Sequence, residues 1–359
     1  MARPITTTPL TPQNAAEAIE IARLGDDYTD PVQIVTFSPD STLLACSTYD
    51  KLYLWDVARR ALLAEVDMAV QALTFSPDNS VLVAAGRDIV FLEVPTGDEQ
   101  GKLKGHPRGT TSVAFSPDGT LLASGGMDGV VRIGNLQTRR LAGKFEHPAP
   151  VRGVAFSPAG DRVAVISWGT GDEPKEAVVW ALESGEKVET FPCTKEKNVA
   201  FSPDGARLAV DGRLFDIEDR RVIHNFKERQ IVFSTDGQLV AACHSNYPTV
   251  GLWDTATGDK LATLKGHGDP VLCVAFNAAG TLVASGSGTL SAGAMLRGED
   301  PEANSDRSVR LWGVPEAPTQ EPARERKPLR RLGEVDEADA DKDDTLLKPV
   351  QDWFNKLSR

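Results

Sequence analysis

The chain is predicted to be all-β, a seven-bladed β-propeller closed by an N-terminal strand in the last blade and followed by a disordered C-terminal tail. Three observations lead there. A phenylalanine that ends a short apolar run recurs at Phe37, Phe75, Phe115, Phe156, Phe201, Phe233 and Phe276, at separations of 38, 40, 41, 45, 32 and 43 residues. Repeats of about 40 residues built from β-patterned segments are propeller blades, because a lone four-stranded sheet leaves both apolar faces wet and a ring of them covers every face. Each run is also followed by the same turn, and the chain lacks a fourth strand for its seventh unit.

Each unit reads in the same order. In "VTFSPDSTLLACSTYDKLYLWD", Val35 to Asp56, the first strand ends on the Phe. A Ser-Pro-Asp turn follows, in which Pro presets φ and the Asp side chain caps locally. The next position calls for a left-handed residue. Gly119, Gly160, Gly205, Gly237 and Gly280 satisfy it, Asn79 tolerates it, and Ser41 is the exception. Two alternating strands such as "LLACS" and "LYLWD" come next, and a fourth such as "ALLAEV" completes the blade.

After "SVRLWGVP" the prolines of "EAPTQEPARERKP" cannot pair inside a sheet. The missing strand is therefore expected from Ile19 to Leu24, "IEIARL", after one short helical turn. A rival reading makes "TPQNAAEAIEIARL" a helix capped by Thr11 with Pro12 at its first position. The expected segments are a lead-in at 1–17, the propeller at 18–313, a charged disordered linker at 314–345 and a short amphipathic helix at 346–359. The linker sets "RERKPLRR" at 324–331 against "EVDEADADKDD" at 334–344. Trp353 and Phe354 lie on the apolar face of the final helix and are expected to grasp a partner or to clip onto this same propeller.

At 359 residues, 41% hydrophobic, with formal net charge −12 and pI near 5.0, the chain does not call for nucleic acid or an anionic membrane as partner. Four cysteines without CxxC spacing and the lack of a spanning apolar run point to a reduced, cytoplasmic protein. There is no GxSxG elbow, Walker loop, HExxH or dinucleotide fingerprint, and the five histidines lack metal-ligand spacing. No enzyme activity and no cofactor are expected.

The stretch "VGLWDTATGDKLATLKGHGDPVLCVAF", Val250 to Phe276, resembles the WD-repeat β-propeller family over roughly residues 18 to 313. The Trp-Asp pair is kept at Trp55-Asp56 and Trp253-Asp254. It weakens to Trp180-Ala181, Phe215-Asp216 and Trp312-Gly313, and is lost at Leu92-Glu93 and Gly134-Asn135. The degenerate pairs and the lead-in resemble bacterial members more than eukaryotic ones. The resemblance implies a structural hydrogen-bonded set of His267, Ser285, Asp306 and Trp312; His106, Ser124 and Asp128 match three places of it, with Gly134 where the Trp belongs.

It also implies a non-catalytic scaffold for protein–protein interaction, monomeric in itself, with contacts on the face formed by the fourth-to-first and second-to-third connections. Four residues before each Phe this gives Gln33, Gln71, Thr111, Arg152, Lys197, Arg229 and Leu272; six before adds Lys195 and Lys227. The bases of blades four to six form an expected basic crescent for an acidic peptide or loop, with Glu196 and Glu228 turned the other way by strand alternation. Tyr49, Arg87 and Met127 are candidate contacts in the second-to-third turns, with packing against the next blade as the other reading. The loops at 167–176 and 286–307 are enlarged, as functional insertions or as tolerated length. The alternative function, from a different class, is a regulatory or sensor subunit that binds a small ligand at the central channel.

Overall fold

The computed structural model describes residues 5–25, 28–147, 149–167, 175–193, 198–228, 230–288 and 306–316. Seven antiparallel sheets carry the repeats: six have four consecutive strands in meander order, and the seventh has three consecutive strands, Val271–Phe276, Val283–Ser287 and Val309–Pro315, completed from the N-terminus. Their first strands are Ile34–Phe37, Ala72–Phe75, Thr110–Phe115, Val151–Phe156, Val199–Phe201, Gln230–Phe233 and Val271–Phe276. Each packs on the first strand of the next blade, and Val271–Phe276 packs back on Ile34–Phe37, so the ring is closed.

The reason for repetition is visible in the core. Apolar side chains gather in seven separate clusters, one at each boundary between blades. Leu44, Ala45 and Cys46 on one second strand are each fully covered, because successive residues face opposite neighbours and both faces are buried. No blade could cover these surfaces alone.

The turns follow the expected chemistry. In blade one, Ser38 Oγ donates to Asp40 Oδ1 at 2.6 Å and accepts from the Leu43 N–H at 2.9 Å. The left-handed position has positive φ in all seven turns, from 62° at Asn79 to 73° at Gly160, and Ser41 adopts it at 64° despite its side chain. Its hydroxyl is engaged: Ser41 Oγ accepts from the Ala279 N–H of blade seven at 3.0 Å, and Asn79 Oδ1 accepts from Asp40 N–H at 3.0 Å. The two residues that accept left-handed strain thus tie neighbouring turns together.

The N-terminal segment completes blade seven. Ile19–Leu24 pairs antiparallel with Val309–Pro315, matching Ile19 to Gly313 and Leu24 to Val309. The short turn is present as a 3-10 helix, Ala15–Glu17, and the longer helix of the rival reading is not. One further element was not foreseen: Thr7–Thr8 pairs with Val314 and Pro315 at the far end of the same strand. Leu10 and Ala15 are buried against blades six and seven, and Glu20 takes an ion pair from Arg310, itself nearly buried. The Val32 N–H donates to the Ser287 carbonyl at 3.1 Å, joining blade seven to blade one. Val314 and Pro315, expected to open the linker, end the last strand instead; the rest of the linker from residue 317, Trp353 and Phe354 lie outside the described residues, as do most of both enlarged loops.

Candidate functional site

Blade seven carries a complete relay. Trp312 Nε1 donates to Ser285 Oγ at 2.8 Å, Ser285 lies 2.7 Å from His267 Nε2, and His267 Nδ1 lies 3.0 Å from Asp306 Oδ2. The Asp306 carboxylate only accepts, so His267 Nδ1 carries the proton; burial favours the neutral ring, whose Nε2 then accepts from Ser285 Oγ. Burial pushes the His267 pKa down, outweighing Asp306, while His267, Ser308 and the Gly268 N–H hold Asp306 well below the usual carboxylate range against its own burial. All four side chains are bonded in series, and Asp306 also accepts from the Gly268 N–H, Ser308 and Arg310. In blade three His106 bonds Ser124 at 3.0 Å and Asp128 at 2.8 Å, and Gly134 leaves the tryptophan place empty.

The other blades fill the same two places in ways the motif did not reveal. In blade one Tyr28 replaces the histidine: Trp55 Nε1 donates to its hydroxyl at 2.9 Å, which also meets Cys46 Sγ, standing where blade seven has Ser285, at 3.3 Å. In blade four Trp180 Nε1 donates directly to His147 Nε2 at 3.2 Å, with Val165 at the serine place. Phe191 meets Phe215 in blade five, and Phe226 meets Trp253 in blade six, each with ring centroids 5.2 Å apart. A sequence signal existed for some of these: Tyr28 and His147 both stand nine residues before their phenylalanines, as His106 and His267 do.

Blade six leaves a polar atom stranded. Trp253 Nε1 is buried with no partner among the described residues, and Ala242 occupies the serine place. Ala242→Ser is expected to supply the acceptor that Ser285 supplies to Trp312, raising stability by about 1 kcal/mol; a urea titration showing no gain would refute this.

The candidate contact residues separate into two groups. Tyr49 at 45% exposure and Tyr247 at 60% stand out on the second-to-third turns of blades one and six, and Arg87 is exposed on that of blade two. Met127 is half-buried. Tyr247 was not among the expected residues; its turn accepts the Val271 N–H at 2.9 Å, so blade seven supports it. Around the channel, Gln71 is exposed, whereas Gln33 is only partly exposed and buries its Nε2 without a partner among the described residues. Thr111 is engaged within the ring, its hydroxyl donating to the Gly125 and Val151 carbonyls at 3.0 and 2.6 Å. Arg152 and Leu272 are half-buried, and burial lowers the Arg152 pKa. Lys195, Lys197, Glu196 and Arg229 lie outside the described residues. Lys227 is exposed but precedes the strand Gln230–Phe233 at a left-handed φ of 57°, so strand alternation does not extend to Lys227 and Glu228.

The cavities open on the opposite face, among the Ser-Pro-Asp turns. One of about 450 Å³ is lined by Pro39, Pro77, Pro117 and Pro158 with first-strand residues as far as Phe201. Side chains from five successive blades meet only at the ring axis, so this is the channel mouth. A second, of about 430 Å³, lies between blades two and three. Among the described residues no group of three or more His, Cys, Asp or Glu is placed to hold a metal ion, and no helix is long and apolar enough to cross a membrane.

A sequence model of the WD domain, G-beta repeat, matches residues 22–56, 97–133 and 258–313, stretches that include the relay of blade seven and the last three residues of the N-terminal strand. The matched stretches are WD40 repeats. The chain is 23% identical to WD repeat-containing protein 82 of Drosophila melanogaster over 301 residues, 76% of this chain and 93% of that protein. It is 27% identical over 173 residues to eukaryotic translation initiation factor 3 subunit I of Scheffersomyces stipitis, 48% of this chain and 43% of that one. It is 27% identical over 202 residues to THO complex subunit 3 of Arabidopsis thaliana, 52% of this chain and 62% of that subunit. The chain thus spans about half the length of the yeast and plant relatives. These relatives are eukaryotic, so the expected bacterial affinity of the WD40 repeats gains no support.

Proposed function

We propose that this WD40 propeller is a non-catalytic scaffold of a cytoplasmic protein complex, holding partner proteins on the face that carries the second-to-third turns. The observation that carries the reading is a rigid closed ring presenting Tyr49, Tyr247 and Arg87 on one face, aromatic and arginine side chains of the kind that dominate protein interfaces. The subunit names of the yeast and plant relatives, one of an initiation factor and one of the THO complex, support it. Four unpaired, buried cysteines, with burial pushing Cys46 up to about 12 and Cys193 to about 11, suit a reducing compartment and are poor nucleophiles. The basic crescent of Arg152, Lys195, Lys197, Lys227 and Arg229 is proposed to receive an acidic peptide, and Trp353 and Phe354 to anchor the tail on a partner.

Affinity capture with the full chain tests the scaffold. Capture of a stoichiometric partner is expected, with loss on combining Tyr49→Ala, Tyr247→Ala and Arg87→Glu while melting is unchanged. Capture unaffected by the triple variant would move the interface elsewhere.

A second reading, a sensor with a small ligand at the channel, is favoured by the proline-collared mouth alone. A ligand-induced rise in melting temperature without any partner would support it over the scaffold.

A further inference from the structure

The boundary between blades six and seven and the boundary between blades two and three are built from corresponding positions. The pairings Phe75 with Leu82 and Phe233 with Val240 align blade two with blade six, and Phe115 with Leu122 and Phe276 with Val283 align blade three with blade seven. Val81, Phe91, Phe115 and Leu136 therefore correspond to Leu239, Leu252, Phe276 and Val314.

At the six–seven boundary the chain's own Leu10 and Ala15 join Leu239, Leu252 and Val314 in one buried apolar cluster, with Phe276 packed against it. Leu10 is 2% exposed, follows Pro9, and its N–H donates to the Gly280 carbonyl at 2.8 Å. At the two–three boundary the same positions line the open cavity of about 430 Å³, with Gly119 where Gly280 stands. Here Gly134 replaces Trp312, and a Cβ added to it would meet nothing nearer than the Leu122 carbonyl oxygen at 3.8 Å. Blades two and three thus present a seat of the shape that Leu10 occupies elsewhere.

The rim differs in charge. Asp78 and Asp118 both line the cavity, and hydrogen bonds from Ser76 and Ser80, and from Ser116 and Thr120, hold their carboxyls below the usual range. Blade seven has the neutral Ala279 at the place of Asp118. Oδ1 of each carboxylate is bonded within its turn, as with Ser76 at 2.5 Å and Ser116 at 2.6 Å, and the charge stands at the groove edge.

We propose that the groove between blades two and three is a docking site for an extended segment of a partner protein, seating a leucine-class side chain after proline with basic residues on either side. The leucine enters as Leu10 does, its N–H directed to the Gly119 carbonyl, and the flanking bases face Asp78 and Asp118. The site lies on the face opposite Tyr49 and Arg87, so the ring would hold two partners at once.

The test is fluorescence anisotropy of a labelled Thr-Lys-Pro-Leu-Arg-Pro peptide titrated with the Leu329→Ala chain, because Lys327-Pro328-Leu329-Arg330 of the chain itself carries the same core and would compete. Saturable binding is expected. It should weaken at least about tenfold when the peptide leucine becomes alanine or is N-methylated, and similarly in the Leu136→Asp protein. The pair Asp78→Asn with Asp118→Asn keeps the Oδ1 acceptor of each turn, so it should fold normally and lose the salt-dependent part of binding. Absence of saturation, or binding indifferent to both protein variants, overturns the proposal. Concentration-dependent self-association abolished by Leu136→Asp overturns it in favour of a second copy of this chain as occupant. Either failure leaves the Tyr49 and Tyr247 face untouched, since its variants are read separately by capture.

Discussion

Deletion of residues 1–24 is expected to abolish cooperative folding. The lost strand carries about five ladder hydrogen bonds, worth roughly 1 kcal/mol each. Burial of Leu10 and Leu24, at 2% and 1% exposure, adds about 1.5 to 3 kcal/mol apiece. That sum is comparable with the whole margin of about 5 to 15 kcal/mol that holds a domain together. The deletion also strands Arg310, whose guanidinium is nearly buried against Glu20 and Asp306, and uncovers Trp312. Circular dichroism and a urea titration check this: retention of a single cooperative transition within about 2 kcal/mol of the full chain would show that the seam does not depend on the N-terminal strand. Leu24→Ala is the milder form, expected to cost about 2 to 5 kcal/mol with the ring still closed.

The second large effect is acid lability above pH 4. Burial among apolar side chains lowers the His147 pKa from 6.5 to about 4, and Lys187 adds to the effect. Its Nε2 must stay unprotonated to accept from Trp180. The folded state therefore binds fewer protons than the unfolded chain in this window, and stability falls as pH drops from about 6.5 to about 4, by on the order of 3 kcal/mol. Burial lowers the pKa of His106 and His267 in the same direction. Asp306 acts in a different window: its depressed pKa contributes stability that is present above its unfolded value near 3.9 and is lost only below it. Urea titrations at pH 7.5 and 4.5 separate the two. His147→Phe, which copies the Phe226 and Trp253 pair of blade six, is expected to lose about 1 kcal/mol at pH 7.5 and to flatten the decline toward pH 4.5. An unchanged slope would remove His147 as the cause.

Much of the ring was legible because its signals are local. The Phe spacing, the Ser-Pro-Asp turns and the left-handed position each depend on a few adjacent residues, and even Ser41 follows the rule its neighbours suggest. Tyr28 escaped because the motif names a histidine, although the site needs only a ring with a polar edge next to Trp55. The hydrogen bonds of Thr111 were not legible from its strand alone, since the carbonyls that it meets belong to another strand and to the next blade. The seat at blades two and three was hidden for a similar reason. Its shape follows from comparing Gly134 with Trp312 and Leu136 with Val314, and its meaning follows from Leu10, which stands far away in the chain.

The pairing of Ile19 with Gly313 makes the last sheet wait for the end of synthesis. As the ribosome extends the chain, residues 19–24 emerge first and find no partner, while blades one to six are each complete within about 40 residues of synthesis. The final sheet can form only after Val309–Pro315 leaves the exit tunnel. At about 5 to 20 residues per second the early segment waits on the order of 15 to 60 seconds with its edge unpaired. A nascent chain released or stalled before residue 309 is thus a six-bladed arc with two open apolar faces, the form on which chaperones and degradation would act.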